Sequence, residues 1–315
     1  MDRIDAMRAF ARIVERKSFT RAVADLGVPR ARLSETVQQL EKRLGTTLLV
    51  RTTRQVSPTA QGEEFYRRCL FIVAEVEEAE AAAGEVLPAG HLRIDVHGTW
   101  ARRFLFPTLP EFLERYPLVR LHVGEGDRLV DLFKEGVDCA IRVGERSNDS
   151  LEGRCLGYLE ESTFASPGYL GRHGSPRQLN ELAGHQMVGF VSSATGAVMP
   201  LKFRTPAGIQ SINLPTSVTV RTASSNACMA VSGMGLMQAP RYRVMHELRS
   251  GALVEVLESH LPPPLPVHLL HPPGRDRYPR VAAFIEWASS QFARKLTEIG
   301  PAYGHVVATG ATPST

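Results

Sequence analysis

The run L-S-E-T-V-Q-Q-L-E-K-R-L-G, Leu33 to Gly45, decides how the N-terminal part of this chain folds. Leu33, Val37, Leu40 and Leu44 recur at spacings of four, three and four. At ~100° per residue that puts them on one face of a helix. The other face carries Ala31, Glu35, Gln38 and Lys42, flanked by Arg32 and Ser34, with Arg30 in the turn leading in. The helix is predicted from about Pro29 to Leu44, with Gly45 as its stop. Upstream, Ser18 is an N-cap candidate for a shorter helix with Phe19, Ala22, Val23 and Leu26 on its apolar side and Gly27 at its end. A first amphipathic helix over 4–16 shows Ile4, Met7, Phe10, Ile13 and Val14. Two short helices joined by a glycine-containing turn form a helix-turn-helix, whose second helix enters the DNA major groove. Ser18, Arg30, Ala31, Arg32, Ser34, Glu35 and Gln38 are therefore the candidate contacts to base edges and phosphates. Downstream, L-L-V-R-T-T-R-Q-V-S-P (48–58) reads as strand, turn and strand, a wing with Arg51 and Arg54 at its tip. An arginine there can enter a narrow minor groove; the alternative for each is a salt bridge within the domain.

Charge follows the same division. Residues 1–68 hold 14 Lys/Arg against 8 Asp/Glu, residues 69–90 hold 5 acidic residues and no basic one, and the remainder is nearly balanced at 23 and 20. A basic head suits a polyanion such as double-stranded DNA. At 315 residues, with 43% hydrophobic and 22% charged residues, the chain is of ordinary globular composition and long enough for about two domains of ~150 residues. No apolar run reaches the ~18–20 residues a bilayer span needs, and Asp2, Asp5 and Glu15 fall where a signal peptide would be apolar, so a cytoplasmic protein without a membrane partner is expected. Cys69, Cys139, Cys155 and Cys228 form no C-x-x-C pair and have no His or Cys at metal-ligand spacing; reduced, mostly buried thiols and no metal or other cofactor are expected.

From Thr59 the chain reads as a long helix. Phe65, Cys69, Ile72, Val76, Ala79, Ala83 and Val86 alternate by four and three, an a/d seam that needs a partner. That partner is a second copy or the chain's own body. Pro88-Ala89-Gly90 reads as a hinge. Beyond it, strands at 91–96, 119–123 and 138–143 alternate with helices at 108–115 and 127–135, which argues for a parallel sheet with helices on its faces. Further strands are read at 187–191, 217–221, 252–257 and 267–270. Helices are read at 225–232 and 281–295, and the small, polar tail over 297–315 is expected to be disordered.

The head resembles the winged helix-turn-helix of the LysR-type transcriptional regulators through M-R-A-F-A-R-I-V-E-R-K-S-F-T-R-A-V, then L-S-E-T-V-Q-Q-L-E-K-R-L-G, then L-L-V-R-T-T-R-Q-V-S-P-T-A-Q-G. The body resembles the family's effector-binding half through L-P-E-F-L-E-R-Y-P, V-D-L-F-K-E-G-V-D-C-A-I-R-V-G, F-A-S-P-G-Y-L, S-G-M-G-L-M-Q-A-P and S-G-A-L-V-E-V-L. The chain departs from the family pattern at Arg30, Glu35 and Leu49, which bears on the base sequence read. The resemblance implies an α+β multidomain architecture. It comprises a winged head (1–60), a dimerising linker helix and hinge (61–90) and a two-lobed α/β domain like a periplasmic solute-binding protein (91–296). Lobe I is then 91–162 with 268–296, and lobe II is 163–267. Ligands of open parallel sheets sit at strand C-termini and helix N-termini. That nominates Gly98, Thr99, Trp100, Arg142, Phe190, Ser192, Ser193, Thr222 and Asn226 for a small effector such as a carboxylate. Core packing is the alternative for Trp100, Phe190 and Asn226, and a buried ion pair for Arg142.

The chain shows no G-x-S-x-G, Walker loop, H-E-x-x-H or dinucleotide loop, so an enzyme is not expected. A redox sensor is a lesser reading, because neither Cys139 nor Cys228 has a cation nearby in sequence to lower its thiol pKa. The expected protein is a sequence-specific, effector-controlled regulator acting as a dimer or tetramer. The alternative is a small-molecule receptor that senses a ligand without reading DNA sequence.

Overall fold

A computed structural model describes residues 2–51, 56–81, 87–146 and 150–306. The head comprises α1 (Arg3–Arg16), α2 (Phe19–Leu26), α3 (Arg30–Leu44) and a hairpin of β1 (Leu49–Arg51) and β2 (Val56–Pro58). Asp2 caps α1 and Ser18 caps α2 through side-chain oxygens that accept backbone N–H groups. Gly27 and Gly45 end α2 and α3 at φ 64° and 66°, a left-handed conformation that glycine adopts without steric cost. Phe10, Ile13, Leu33, Val37, Leu40 and Leu48 fill the head's core. Leu44, placed on the core face from its spacing, is instead 41% exposed, because the helix ends there.

Helix α4 (Ala60–Ala81) starts at the wing, where the Thr59 hydroxyl accepts the Gly62 N–H at 2.9 Å and donates to the Thr47 carbonyl at 2.8 Å. The seam read from α4 does not stay whole. Cys69 is fully buried in the head's own core, and the Phe65 ring lies 5.5 Å from that of Phe10. Ile72 and Val76 follow, half-buried. Ala79 lies on the helix without a described side chain, and Ala83 and Val86 lie outside the described residues.

The body begins with β3 (Gly90–Val96), the helical turn α5 (Gly98–Trp100), α6 (Leu109–Arg115), β4 (Val119–Glu125), α7 (Leu132–Glu135), β5 (Cys139–Val143) and β6 (Glu152–Leu159). The chain then crosses to β7 (Glu161–Ala165), α8 (Pro167–His173), β8 (Gly189–Phe190), β9 (Leu201–Thr205), β10 (Gly208–Ile212), β11 (Thr219–Val220), α9 (Ala223–Val231), β12 (Met237–Pro240), α10 (Met245–Ser250) and β13 (Val254–Val256). It returns in β14 (Leu265–His271), α11 (Pro279–Ile299) and β15 (Gly304–Val306). One sheet runs β15-β6-β14-β5-β3-β4; the other lobe holds β12-β7-β13, the parallel pair β8 and β11, and the hairpin β9–β10.

Four expectations need correction. The main sheet is mixed: β3, β4 and β5 are parallel, but β14 re-enters from the other lobe antiparallel to both β5 and β6. The helix expected over 127–135 is only Leu132–Glu135, because the Asp131 carboxylate caps it there by accepting the Phe133 and Lys134 N–H groups, leaving Asp127 in a loop. The tail expected to be disordered from 297 carries helix and strand over its described part, to residue 306. Helix α11 runs to Ile299, and β15 pairs with β6 so closely that a Cβ at Gly157 or Gly304 would strike the opposing backbone. Of the four thiols, Cys69 and Cys139 are buried, Cys155 is half-buried and Cys228 is exposed. Lobe I is cored by Trp100, Phe104, Phe112, Phe284 and Phe292 against the apolar strands of its sheet. Among the described residues no helix is long and apolar enough to cross a membrane.

Candidate nucleic-acid interface and inter-lobe cleft

On α3, Arg30, Ala31, Arg32, Glu35 and Gln38 are exposed on one side while Leu33, Val37 and Leu40 are buried on the other. Ser34 is half-buried. Pro29 precedes the helix without a side-chain cap, so its first N–H groups are open to an outside acceptor such as a phosphate. Glu35 accepts from Gln39 at 3.1 Å, which leaves Arg30, Arg32 and Gln38 as the exposed polar groups open to a groove. Ser18 is half-buried and engaged as the α2 cap. Of Arg51 only the strand backbone is described, and Arg54 lies outside the described residues. Sequence reasoning missed Glu41, whose carboxylate accepts the N–H groups of Leu48 (2.8 Å) and Leu49 (3.1 Å) and so fixes the wing against the recognition helix.

The lobes meet at a polar corner. Asp127, in the loop after β4, accepts the Ala223 N–H, the first of α9, at 2.6 Å through Oδ2. Its Oδ1 lies 3.1 Å from His97 Nε2, which is also 3.2 Å from Arg243 Nη2. The ring nitrogen between a guanidinium and a carboxylate serves one of them at a time. Burial, then the charge of Arg243, holds His97 well below the ordinary imidazole range, so the ring is neutral near pH 7. The Thr99 hydroxyl sits 3.3 Å from both His97 Nδ1 and the Tyr242 hydroxyl. Arg243 makes no ion pair among the described residues, although its charge also acts on the Glu161 carboxyl, and its Nε is buried without a hydrogen bond.

Of the nominated effector residues, Thr99 reaches this corner, and Thr222 caps the helix whose first N–H faces Asp127. Gly98 is buried; a Cβ there would approach the Glu125 carboxylate at 2.7 Å. Trp100 does not face the cleft. It is fully buried against Phe104 and Phe292, as expected where a short helical turn points an indole inward. Arg142 forms the ion pair left open as its alternative, with Asp95 at 2.5 Å. Phe190 ends β8 beside Val220, half-buried, and Ser192 accepts two loop N–H groups while Ser193 is exposed. Asn226 is 4% exposed, and its Oδ1 has no hydrogen bond. His97, Tyr242 and Arg243 follow strand ends and were open to the same rule that nominated Thr99; Asp127 was hidden by the helix assigned to it. The antiparallel pairing of His271 with Glu152 also gathers these two with Asp276 to within 4.8 Å, a set of potential ligand atoms remote in sequence.

Two carboxyl and imidazole groups near the lobe crossing give opposed pH signatures. Glu161 is half-buried as a residue, but its carboxyl is enclosed by protein. Burial raises its pKa to about 7 against the opposing charges of Arg243 and Lys202. Neutral in the fold yet ionised when unfolded above ~4.3, it costs stability as pH rises from there to about 7. His97, neutral in the fold yet protonated when unfolded below ~6.5, costs stability as pH falls. Each group contributes up to ~1.4 kcal/mol per pH unit. His122, His185 and His268 are also held low and add the same acid-side loss to every variant. Urea unfolding between pH 7 and 5 should therefore show stability changing more favourably on acidification in His97→Gln than in the unmodified chain, and less favourably in Glu161→Gln. Parallel slopes in the two variants would refute these assignments.

Comparison with known proteins agrees with this architecture. Residues 4–63 match the family profile described as bacterial regulatory helix-turn-helix protein, lysR family, and residues 86–293 match the LysR substrate binding domain. An HTH-type transcriptional regulator of Escherichia coli, YhjC, is 35% identical over 91% of this chain and 97% of its own length. The HTH-type transcriptional regulator CrgA of Neisseria meningitidis serogroup C is 33% identical over 80% of this chain and 84% of its own. A solved structure of CrgA from Neisseria meningitidis superposes with a TM-score of 0.57 at 28% identity, covering 91% of this chain and 98% of the other. The chain belongs to the LysR family of transcriptional regulators, with a helix-turn-helix for DNA and a substrate-binding domain behind it.

Proposed function

We propose that residues 1–60 read a promoter site, residues 61–90 join two copies, and residues 91–296 bind a small carboxylate between their lobes. The wing arginines Arg51 and Arg54 and the exposed face of α3 are the DNA contacts in this reading. Ile72 and Val76 continue a self-association seam after Phe65 and Cys69 have been used inside the head. One observation carries the carboxylate: the corner already holds one, Asp127, on the first N–H of α9 beside His97. Arg243, which makes no ion pair among the described residues and faces a Glu161 carboxyl kept neutral up to about pH 7, has room in its chemistry for a second. A ligand bridging Arg243 and Thr99 from one lobe to the other binds the closed arrangement better than the open one. That differential affinity is what lets it shift the heads.

The test is a gel shift on the DNA upstream of the protein's own gene, titrated with small mono- and dicarboxylates. A charge-assisted hydrogen bond lost in Arg243→Gln should raise the half-effective carboxylate concentration by ~10–100-fold. An unchanged response in that variant would contradict the cleft reading.

A further inference from the structure

A second cationic recess lies away from the cleft, where the head packs on lobe I. It is a crevice of about 440 Å³ between α1 and α4 on one side and β3 and β4 on the other. In the parallel register His91 stands beside Arg120 and Arg93 beside His122. Alternation along the strands puts all four on the same face of the sheet. Such a square of cationic and imidazole side chains is repulsive unless something neutralises it.

The acidic groups in the crevice are already committed. Glu15 takes Arg12 at 2.9 Å, and Asp138 accepts the Arg93 backbone N–H at 2.8 Å and pairs with Arg275 at 3.6 Å. The guanidinium groups of Arg93 and Arg120 have no hydrogen-bonded or ion-paired partner among the described residues, and Arg93 Nε is buried. His122 is held below its ordinary pKa by burial and by Arg93, a second sign of uncompensated positive potential. Arg93 is half-buried with its Nε enclosed, and Arg120 is exposed at the crevice mouth. A partly desolvated, unpaired cation is costly, and a guanidinium fork matches phosphate oxygens in pairs. Tyr66 and Phe71 add an aromatic wall on the α4 side.

We infer that this crevice is a binding site for a small phosphorylated anion carrying at least two negative charges, held by Arg93 and Arg120. Because one wall belongs to the head and the other to the body, the bound anion favours the docked arrangement of the two. The site is independent of the cleft.

Inorganic pyrophosphate is the probe, titrated into the full-length protein at constant ionic strength and followed by calorimetry and by the thermal midpoint. Saturable binding at one site per chain is expected. Arg93→Met with Arg120→Gln should weaken it at least ~10-fold. The ligand-free midpoint of that variant should hold or rise, since it removes an unpaired cation. Should the double variant fail to fold, exposed Arg120→Gln alone must still weaken binding ~10-fold. Arg30→Ala with Arg32→Ala, and Arg243→Gln, should retain pyrophosphate affinity, which separates this site from the DNA face and the cleft. Absence of saturable binding, binding unaltered by the Arg93 and Arg120 changes, or loss only in the α3 or Arg243 variants would each overturn the inference.

Discussion

Gly62→Ala should destabilise the head by roughly 2–4 kcal/mol and abolish DNA retention with it. On an exposed helix the same change would stabilise by up to ~1 kcal/mol, because alanine is the better helix former. Here the helix start is pressed against the wing. A Cβ at Gly62 would overlap the Leu48 carbonyl oxygen and come within 3.2 Å of Pro58 Cβ. That oxygen accepts the Thr59 N–H at 2.9 Å, and the Thr59 hydroxyl caps Gly62 itself. The contact is backbone, so no side-chain rotation relieves it. Moving α4 outward instead would withdraw Cys69 and Phe65 from the core. Chemical denaturation of the variant beside the unmodified chain measures the loss; equal midpoints would show that α4 does not seat as described.

Arg32→Ala together with Gln38→Ala should remove specific DNA binding while leaving the fold intact. Both side chains are exposed on α3, and the buried contacts of that helix run through Leu33, Val37 and Leu40. A good side-chain contact to a base edge discriminates by ~1–3 kcal/mol, and a two-headed complex loses it twice. Competition gel shifts should show the preference for the promoter site over random DNA falling by orders of magnitude, with salt-sensitive nonspecific binding surviving on the remaining basic residues. Retained preference in the double variant would move the reading surface elsewhere.

Much of the head was legible because its signals are local. Gly27 and Gly45 mark helix ends that need left-handed backbone, and the Leu33–Val37–Leu40 spacing marks a buried face about two turns long. The same reasoning overran at Leu44, where periodicity continues but the core does not. At the α4 seam, heptad spacing says which residues share a face, while the head's own core takes up Cys69 and part of Phe65. The cleft was only partly readable. Thr99 and Thr222 follow strands and could be nominated by rule. His97 and Arg243 follow strands too, but that they meet Asp127, which lies in a separate loop, shows only once the lobes are placed together. Trp100 shares the local context of Thr99 one residue on, and a single step along a helical turn sends it into the core. The pairing of residues 304–306 escaped composition altogether. Gly304 and Gly157 allow two backbones to close on each other, a feature visible only once both strands are placed.

The central claim is that α3 reads DNA in a sequence-specific way. The most direct measurement is binding to the DNA upstream of the protein's own gene, by gel shift across a salt series with nonspecific competitor. The account predicts selective retardation whose affinity falls linearly with log salt, at a slope of about 0.9 per phosphate neutralised. No selective retardation at low salt with folded protein, followed by no enriched sequence in a selection from random DNA, would contradict it.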